Sequence, residues 1–289
     1  MAKPTVEGTT RVVGIIGDPV DHSLSPRMHN AAFASLGLDY IYVPFRTSAR
    51  KLGDAVRSVG RLGLAGLNIT VPFKQAATGH VDRLSPTARA VGAVNTVYAD
   101  GRRLVGENTD VAGFMSALGA AGLRLRGKSV LVIGAGGAAR AVVYALAEGG
   151  AADVVIANRT LAKAKRLARE FSRRSTPIQA AGLGVLEDVG LLENRRLVVN
   201  CTSLGLKGKT PDYNIEATRD DCIHFDLAYG GKPTPFMKSA LANKRPVIDG
   251  RLMLLHQGAA AFKFFTGRKA PVAVMAKALG LNIGKTLTT

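Results

Sequence analysis

Cysteine is scarce in this chain of 289 residues. Its two copies, Cys201 and Cys222, stand in no CxxC or other paired spacing, so neither a disulfide framework nor a zinc site is expected. Long apolar runs are missing too. No stretch approaches the ~18 residues that a membrane span requires. The polar sequence after Met1-Ala2-Lys3-Pro4 has no signal-peptide core, so a cytoplasmic protein with no membrane partner is expected. Internal repeats, low-complexity segments and blocks of about five or six consecutive Lys or Arg are all absent. With 47% apolar and 21% charged residues, the chain falls outside the fibrous and disordered classes.

Acidic residues are also few, 21 Asp and Glu against 39 Lys and Arg, which leaves a formal charge of +18. Such an excess suits nucleic acid, a membrane surface or an anionic small molecule. It is spread out: residues 1–118 carry +4, residues 119–250 carry +8, and residues 251–289 carry +6 with no acid. The densest patch, Arg166 to Arg174, has helical character and encloses Glu170, so it reads as a solvated helix face rather than a nucleic-acid surface. Anionic ligands remain the attractive partners. At roughly 150 residues per domain the length suggests two domains with a cleft between them. Glycine is plentiful, 33 residues or about 11%, as tight turns and close backbone approaches demand.

Residues 11–16, 40–45 and 64–69 read as short buried strands, and 26–36 and 50–60 between them repeat apolar residues at helical spacing. This alternation predicts a parallel sheet covered on both faces. A hairpin-like pair at 94–98 and 103–106 around Asp100-Gly101 makes the first sheet mixed. A second series follows Gly127, with strands near 129–133, 154–158, 176–179, 197–200, 222–226 and 246–249. Six such strands with helices between them suit a doubly wound nucleotide-binding sheet. A helix over about 110–121 would connect the halves, 205–215 reads as a mobile loop, and the helical tail to about Leu279 would return to the first domain.

Gly134-Ala135-Gly136-Gly137-Ala138-Ala139 follows one of these strands and opens a helix, the context in which a GxGxxA segment binds a dinucleotide. Gly134 permits the tight turn, Gly136 the approach of a pyrophosphate, and Ala139 close helix packing. A glycine-rich turn without a ligand is the plain alternative. The next strand ends at Asn158, where NAD binders place an acid for the ribose hydroxyl. Here an acid is missing and Arg159, Thr160 and Lys163 follow, so a 2′-phosphate and hence NADP is favoured over NAD.

In the first half, Ser23 and Ser25 alternate on one side of an extended segment before Pro26, which suits the first helical position. Two hydroxyls at a helix N-terminus would hold a small carboxylate, although Ser25 could equally be a plain cap. The third strand ends Asn68-Ile69-Thr70-Val71-Pro72-Phe73-Lys74, with Asn68 and Thr70 on one side and Lys74 within reach. A second strand-to-helix junction carries Asn108 and Asp110. Lys74 and Asp110 could form an acid–base unit, or an ordinary surface salt bridge with Asp110 capping its helix.

The ordered set of blocks resembles the shikimate dehydrogenase family over nearly the whole chain. Matching segments are 17–30, 68–74, 92–96, 106–110, 134–138, 158–160, 200–205, Asp226-Leu227-Ala228-Tyr229 with Thr234-Pro235, and Asp249-Gly250 with Gln257. The resemblance implies an α/β fold of two domains. Residues 1–110 plus 250–289 would form a mixed substrate domain, and residues 111–249 a Rossmann-type doubly wound NADP domain. It implies reversible, NADPH-dependent reduction of 3-dehydroshikimate to shikimate. Lys74 and Asp110 match the catalytic pair, and Ser23 and Ser25 the serines that hold the substrate carboxylate. Thr70, Asn95, Asp110 and Gln257 match contacts to ring hydroxyls, and Tyr229 lines the same site. Gly134, Ala135, Gly136, Gly137 and Ala138 match the pyrophosphate turn. Asn158, Arg159, Thr160 and Lys163 match the adenosine-phosphate clamp, while Thr202 and Ser203 begin the loop beside the nicotinamide. Two departures stand out: Lys163 where Arg is common, and Arg251-Leu252 where a Gly often precedes Met253. Rival readings are a quinate/shikimate or aminoshikimate dehydrogenase of the same fold, and a non-catalytic protein that binds nucleic acid or senses NADP. The expected partner is the small-molecule substrate, with no nucleic acid and no metal, in a monomer or homodimer.

Overall fold

The computed structural model describes residues 5–172, 174–205, 208–230, 232–284 and 286–288. Met1-Ala2-Lys3-Pro4, Arg173 in the basic patch and Lys207 in the expected loop lie outside them. The chain divides into two units, one running to Gly113 and resuming at Leu254–Ile283, the other comprising Phe114–Met253 and the residues from Gly284 on.

In the first unit, β1 (Arg11–Gly17), α1 (Ser25–Ser35), β2 (Tyr40–Arg46), α2 (Leu52–Arg61) and β3 (Gly66–Ile69) realise the expected alternation. After β3 come a 3-10 turn (Ala76–His80), the two-residue β4 (Arg83–Leu84) and α3 (Pro86–Val91), none of which the sequence pattern announces. Its one local sign is Ser85-Pro86: Ser85 Oγ accepts from the amide of Ala88, and Pro86 sits in the first turn. The hairpin follows as β5 (Thr96–Asp100) and β6 (Arg103–Glu107), leading to α4 (Asp110–Ala120). The sheet order is β2-β1-β3-β5-β6-β4, parallel at β2-β1-β3 and β6-β4, antiparallel at β3-β5-β6.

Side-chain alternation sorts the faces of this sheet. Ile16, Leu67, Ile69 and Val97 pack with Leu52, Val56 and Val59 of α2, spaced four and three apart as a helical stripe requires.

The second unit contains β7 (Ser129–Ile133), α5 (Gly137–Glu148), β8 (Asp153–Ala157), α6 (Leu161–Phe171), β9 (Ile178–Ala181), α7 (Val189–Leu192), β10 (Leu197–Asn200), β11 (Ile223–Asp226), α8 (Pro235–Ala242) and β12 (Val247–Asp249). Its sheet order, β12-β11-β10-β7-β8-β9, is parallel throughout. Numbered within the unit this is 3-2-1-4-5-6 reversed, the dinucleotide-binding order, with its switch point between β7 and β10. Strands buried on both faces explain the unbroken runs of Val, Ile and Leu. The expected loop is anchored at its far end, because Tyr213 and Ile215 are buried in the core beneath β7 and β10.

The tail forms two helices rather than one, α9 (Gly250–Thr266) and α10 (Val272–Ala278), separated at Gly267, whose φ of +69° ends the first. Within the first unit α10 packs on α1, and Phe265 of α9 lies so close to Gly66 that a Cβ there would sit 2.2 Å from its ring. The last residues cluster instead with the second unit, where Thr288 bridges Val247 and Thr286 Oγ1 donates to the Ala120 carbonyl at 2.7 Å. Among the described residues no helix is long and apolar enough to cross a membrane.

Candidate active site and nucleotide site

Four segments of the first unit converge at one edge of its sheet. Thr70 donates its amide to Ile16 at the end of β1, and Asp18 donates to Val71, which joins the ends of β1 and β3. The amide of Val94 donates to the Lys74 carbonyl, and that of Asn95 to Glu107 at the end of β6. Lys74 and Asp110, 36 positions apart, are thereby brought together: Nζ donates to Oδ2 at 2.7 Å. Only 13% of the lysine side chain and 4% of the aspartate remain accessible. The ordinary surface salt bridge is therefore excluded.

Asp110 does not cap α4 either. Its other oxygen, Oδ1, accepts from Asn95 Nδ2 at 2.9 Å, and its amide is satisfied by Asn108 Oδ1 at 3.1 Å. Asn95 is the hub of this network. Its Nδ2 also reaches Thr109 Oγ1 (2.9 Å) and Gln257 Oε1 (3.4 Å), while its Oδ1 accepts the Thr109 amide (2.8 Å). Gln257 is positioned in turn by its own Nε2, which donates to the Leu254 carbonyl. Gly113 is what lets α9 approach α4 here, since a Cβ on it would lie 2.6 Å from the Gln257 Cβ and 2.8 Å from its amide nitrogen.

The serine segment differs from the expected extended strand. Residues 20–24 form a turn, closed by the Ser23 amide donating to Val20, and Leu24 has helical φ and ψ. Within this turn the Ser25 amide donates to Ser23 Oγ at 3.3 Å. Ser25 is buried as the first residue of α1, and the cap position before it is taken by Leu24, so Ser25 is not the plain cap. Asn68, on β3 two residues before Thr70, points into the interior: it accepts from Tyr42 Oη (2.8 Å) and donates to Thr96 Oγ1 and the Asn95 carbonyl. It holds β3 to β5.

In the second unit Gly134 has φ +111°, open to glycine, and a Cβ on it would meet the Cys201 carbonyl carbon at 3.2 Å. The glycine turn and the end of β10 thus flank the switch point. A Cβ on Gly136, by contrast, would meet nothing within 4 Å, so the backbone there faces open space at the N-terminus of α5. This cradle fits a pyrophosphate. At the end of β8, Asn158 Nδ2 donates to the Thr160 carbonyl at 2.8 Å, while Arg159 and Lys163 are exposed. Among the described residues neither cation forms an ion pair, so both are available to a phosphate.

Thr202 is tied to Asn200 twice, through its amide (3.0 Å) and its Oγ1 (2.7 Å), and Ser203 beside it is exposed. Tyr229 belongs to the second unit, in the loop after β11, and is half-buried. Sequence reasoning overlooked Thr109, Asn200 and Asp226 as organising residues. The available signal was a polar residue closing a buried strand: Asn200 and Asp226 end β10 and β11 in register.

A parallel sheet in dinucleotide-binding order, accompanied by a unit with a buried Lys–Asp pair at a strand-end junction, defines a pyridine-nucleotide oxidoreductase. Family models identify the branch: the shikimate dehydrogenase substrate binding domain matches residues 15–97, shikimate/quinate 5-dehydrogenase 117–204, and the shikimate 5′-dehydrogenase C-terminal domain 250–279. A shikimate dehydrogenase (NADP(+)) of Symbiobacterium thermophilum is 41% identical over 278 residues, covering 94% of this chain and 95% of the relative. Among solved structures, shikimate 5-dehydrogenase from Listeria monocytogenes in complex with shikimate and NAD superposes with a TM-score of 0.87 at 34% identity, covering 96% of this chain and 99% of that one. The Thermus thermophilus enzyme in complex with NADP(H) and shikimate gives a TM-score of 0.81 at 39% identity, covering 93% and 98%. The chain belongs to the shikimate dehydrogenase family.

Proposed function

We propose that the chain catalyses the reversible, NADPH-dependent reduction of 3-dehydroshikimate to shikimate, with Lys74 and Asp110 as its catalytic pair. The observation that carries this assignment is the buried 2.7 Å contact between Lys74 Nζ and Asp110 Oδ2 at the edge where the ends of β1, β3 and β6 meet. NADPH, when bound, supplies the hydride from C4 of its nicotinamide. The protein must orient the ring and manage one proton. In the reducing direction, negative charge develops on the substrate carbonyl oxygen, and the Lys74 ammonium stabilises it and delivers a proton from Nζ. Asp110 Oδ2 keeps that ammonium aimed, while Asn95 fixes the carboxylate through Oδ1.

Ser23 and Ser25 would hold the substrate carboxylate, and Thr70, Asn95, Asp110, Gln257 and Tyr229 its ring hydroxyls. For the cofactor, residues Gly134 to Ala138 would cradle the pyrophosphate. Asn158, Arg159, Thr160 and Lys163 would clamp the 2′-phosphate, with Thr202 and Ser203 beside the nicotinamide. The substrate domain would be 1–110 plus 250–289 and the NADP domain 111–249, although the residues from Gly284 on cluster with the second unit. We place the enzyme in the cytoplasm as a monomer or homodimer without a nucleic-acid partner.

A panel of shikimate, quinate and the amino analogue against NADP and NAD, run on purified protein, tests the assignment. Shikimate with NADP should give the highest kcat/KM. Faster turnover of quinate or of the amino analogue would transfer the chain to those activities, and no turnover of any pair would overturn the catalytic reading.

A further inference from the structure

We propose that Asp226 is a positioning residue whose buried carboxylate ties the loop beginning at Thr202 to the loop beginning at Ala228, and so shapes the nicotinamide end of the cofactor site. This rests on the cofactor reading above.

The carboxylate is wholly buried, and among the described residues no cation pairs with it. Three donors converge on it instead. Asn200 Nδ2 (2.9 Å) and the Ala228 amide (3.1 Å) donate to Oδ1, and Thr234 Oγ1 donates to Oδ2. Each partner passes the constraint on. Asn200, also fully buried, accepts both the amide and the hydroxyl of Thr202, while Thr234 accepts the Met237 amide and caps α8. The two loops also touch, since a Cβ on Gly205 would lie 2.8 Å from the Ala228 Cβ. On the other side Cys201 abuts Gly134 of the pyrophosphate turn. One carboxylate thereby links the turn, both loops and α8.

Burying an anion with no cation beside it opposes stability, and the three donors offset that only in part, so stability alone does not account for its presence. Burial lifts Asp226 to about 6, against the donors that favour the ionised form. The charged and titratable groups around it are Asp249 on β12, which is held by Arg251, the Cys201 thiol after β10, and the Tyr213 phenol. Asp249 adds like charge, and α8 presents only the Thr234 hydroxyl. On protonation the carboxyl becomes a donor itself and competes with the three groups it had gathered.

Calorimetric titration with NADP+ and with adenosine 2′,5′-bisphosphate, which lacks the nicotinamide half, tests the proposal. At pH 8, Asp226→Asn should weaken NADP+ at least about tenfold and leave the bisphosphate within about twofold. As the pH falls from 8 to 5, wild-type NADP+ affinity should converge on that of Asp226→Asn, because both then carry an uncharged side chain at this position. Equal losses for both ligands, no loss for either, or a constant gap across the pH range would overturn the proposal. Should Asp226→Asn fail to fold, Thr234→Val is expected to weaken NADP+ selectively and Thr234→Ser to restore it; identical behaviour of the two would also overturn it. Wild-type protein that binds neither ligand would refute the cofactor reading itself.

Discussion

At the scale of single residues, the buried Lys74–Asp110 pair is where substitution should act most strongly on turnover. An ammonium aimed at developing charge matters more in the transition state than in the ground state, so Lys74→Ala should lower kcat at least about 10²-fold with NADP affinity near normal. Asp110→Asn should also slow turnover, and the double variant should lose less than the product of the single losses, because the two act as a unit. Steady-state kinetics on the three variants decide this; multiplicative losses would mean independent roles. Buried histidines govern acid stability. Burial lowers His29 to about 3 and His224 to about 4. In the unfolded chain both titrate near 6.5, so between that pH and about 4 the unfolded state holds more protons, and stability falls on acidification. Each contributes a slope of about 1.4 kcal/mol per pH unit in that window. Asp226 opposes them: its raised value gives stability that is present in acid and lost as the pH rises through about 6. Urea unfolding at pH 7 and pH 5 should therefore show a smaller stability loss for His29→Leu than for wild type.

At the scale of elements, the junctions between strands and helices carry both the chemistry and the constraints. Among the described residues the β8–α6 junction presents Arg159 and Lys163 without ion pairs, where an acid would have favoured NAD. Arg159→Ala should raise the KM for NADP about tenfold to a hundredfold, the loss typical of one charged hydrogen bond, and leave that for NAD nearly unchanged. Equal losses with both nucleotides would remove Arg159 from the clamp. The approach of α9 to α4 depends on Gly113, whose missing Cβ leaves room for the Gln257 backbone. Gly113→Ala overpacks backbone rather than a flexible chain end, so it should cost about 1–3 kcal/mol and raise the KM for shikimate as Gln257 is displaced. A thermal melt with unchanged midpoint and unchanged KM would contradict that packing. Most of these elements were legible in the sequence, because β1, β3, β7, β8, β10 and β11 are buried apolar runs; β2, expected as buried over 40–45, is apolar but lies at the edge of its sheet with only Tyr42 buried. The segment between Thr70 and Val94 was not, since β4 is two residues long and takes its identity from pairing with β6. The serine segment was legible as the entry to a helix but not in its shape, because its turn is closed by a backbone bond from Ser23 to Val20 that no side-chain alternation signals.

At the scale of the whole molecule the charge of +18 has to be reconciled with a small anionic substrate and a polyanionic cofactor. If the excess serves those ligands and general solubility, binding to duplex DNA should be weak and confined to low salt. A titration of fluorescent duplex across 50–200 mM salt should show no specific affinity; steep salt dependence with tight binding would revive the nucleic-acid reading. The same electrostatics predict that NADP affinity falls with ionic strength, through exposed cations that salt screens readily.

The sequence by itself determined the alternation of strands and helices, the glycine turn and the missing acid after β8. Those features are local: they follow from periodicity, backbone freedom and charge at adjacent positions. Tertiary structure alone decided that Asp110 faces Lys74 and Asn95 instead of capping α4, that Asn68 is an interior tie, and that Asn200 and Asp226 share a register. A carboxylate or amide has several possible partners along its own chain. Which one it takes depends on strand order and burial, and those are set only when segments far apart in sequence exclude water from the same place.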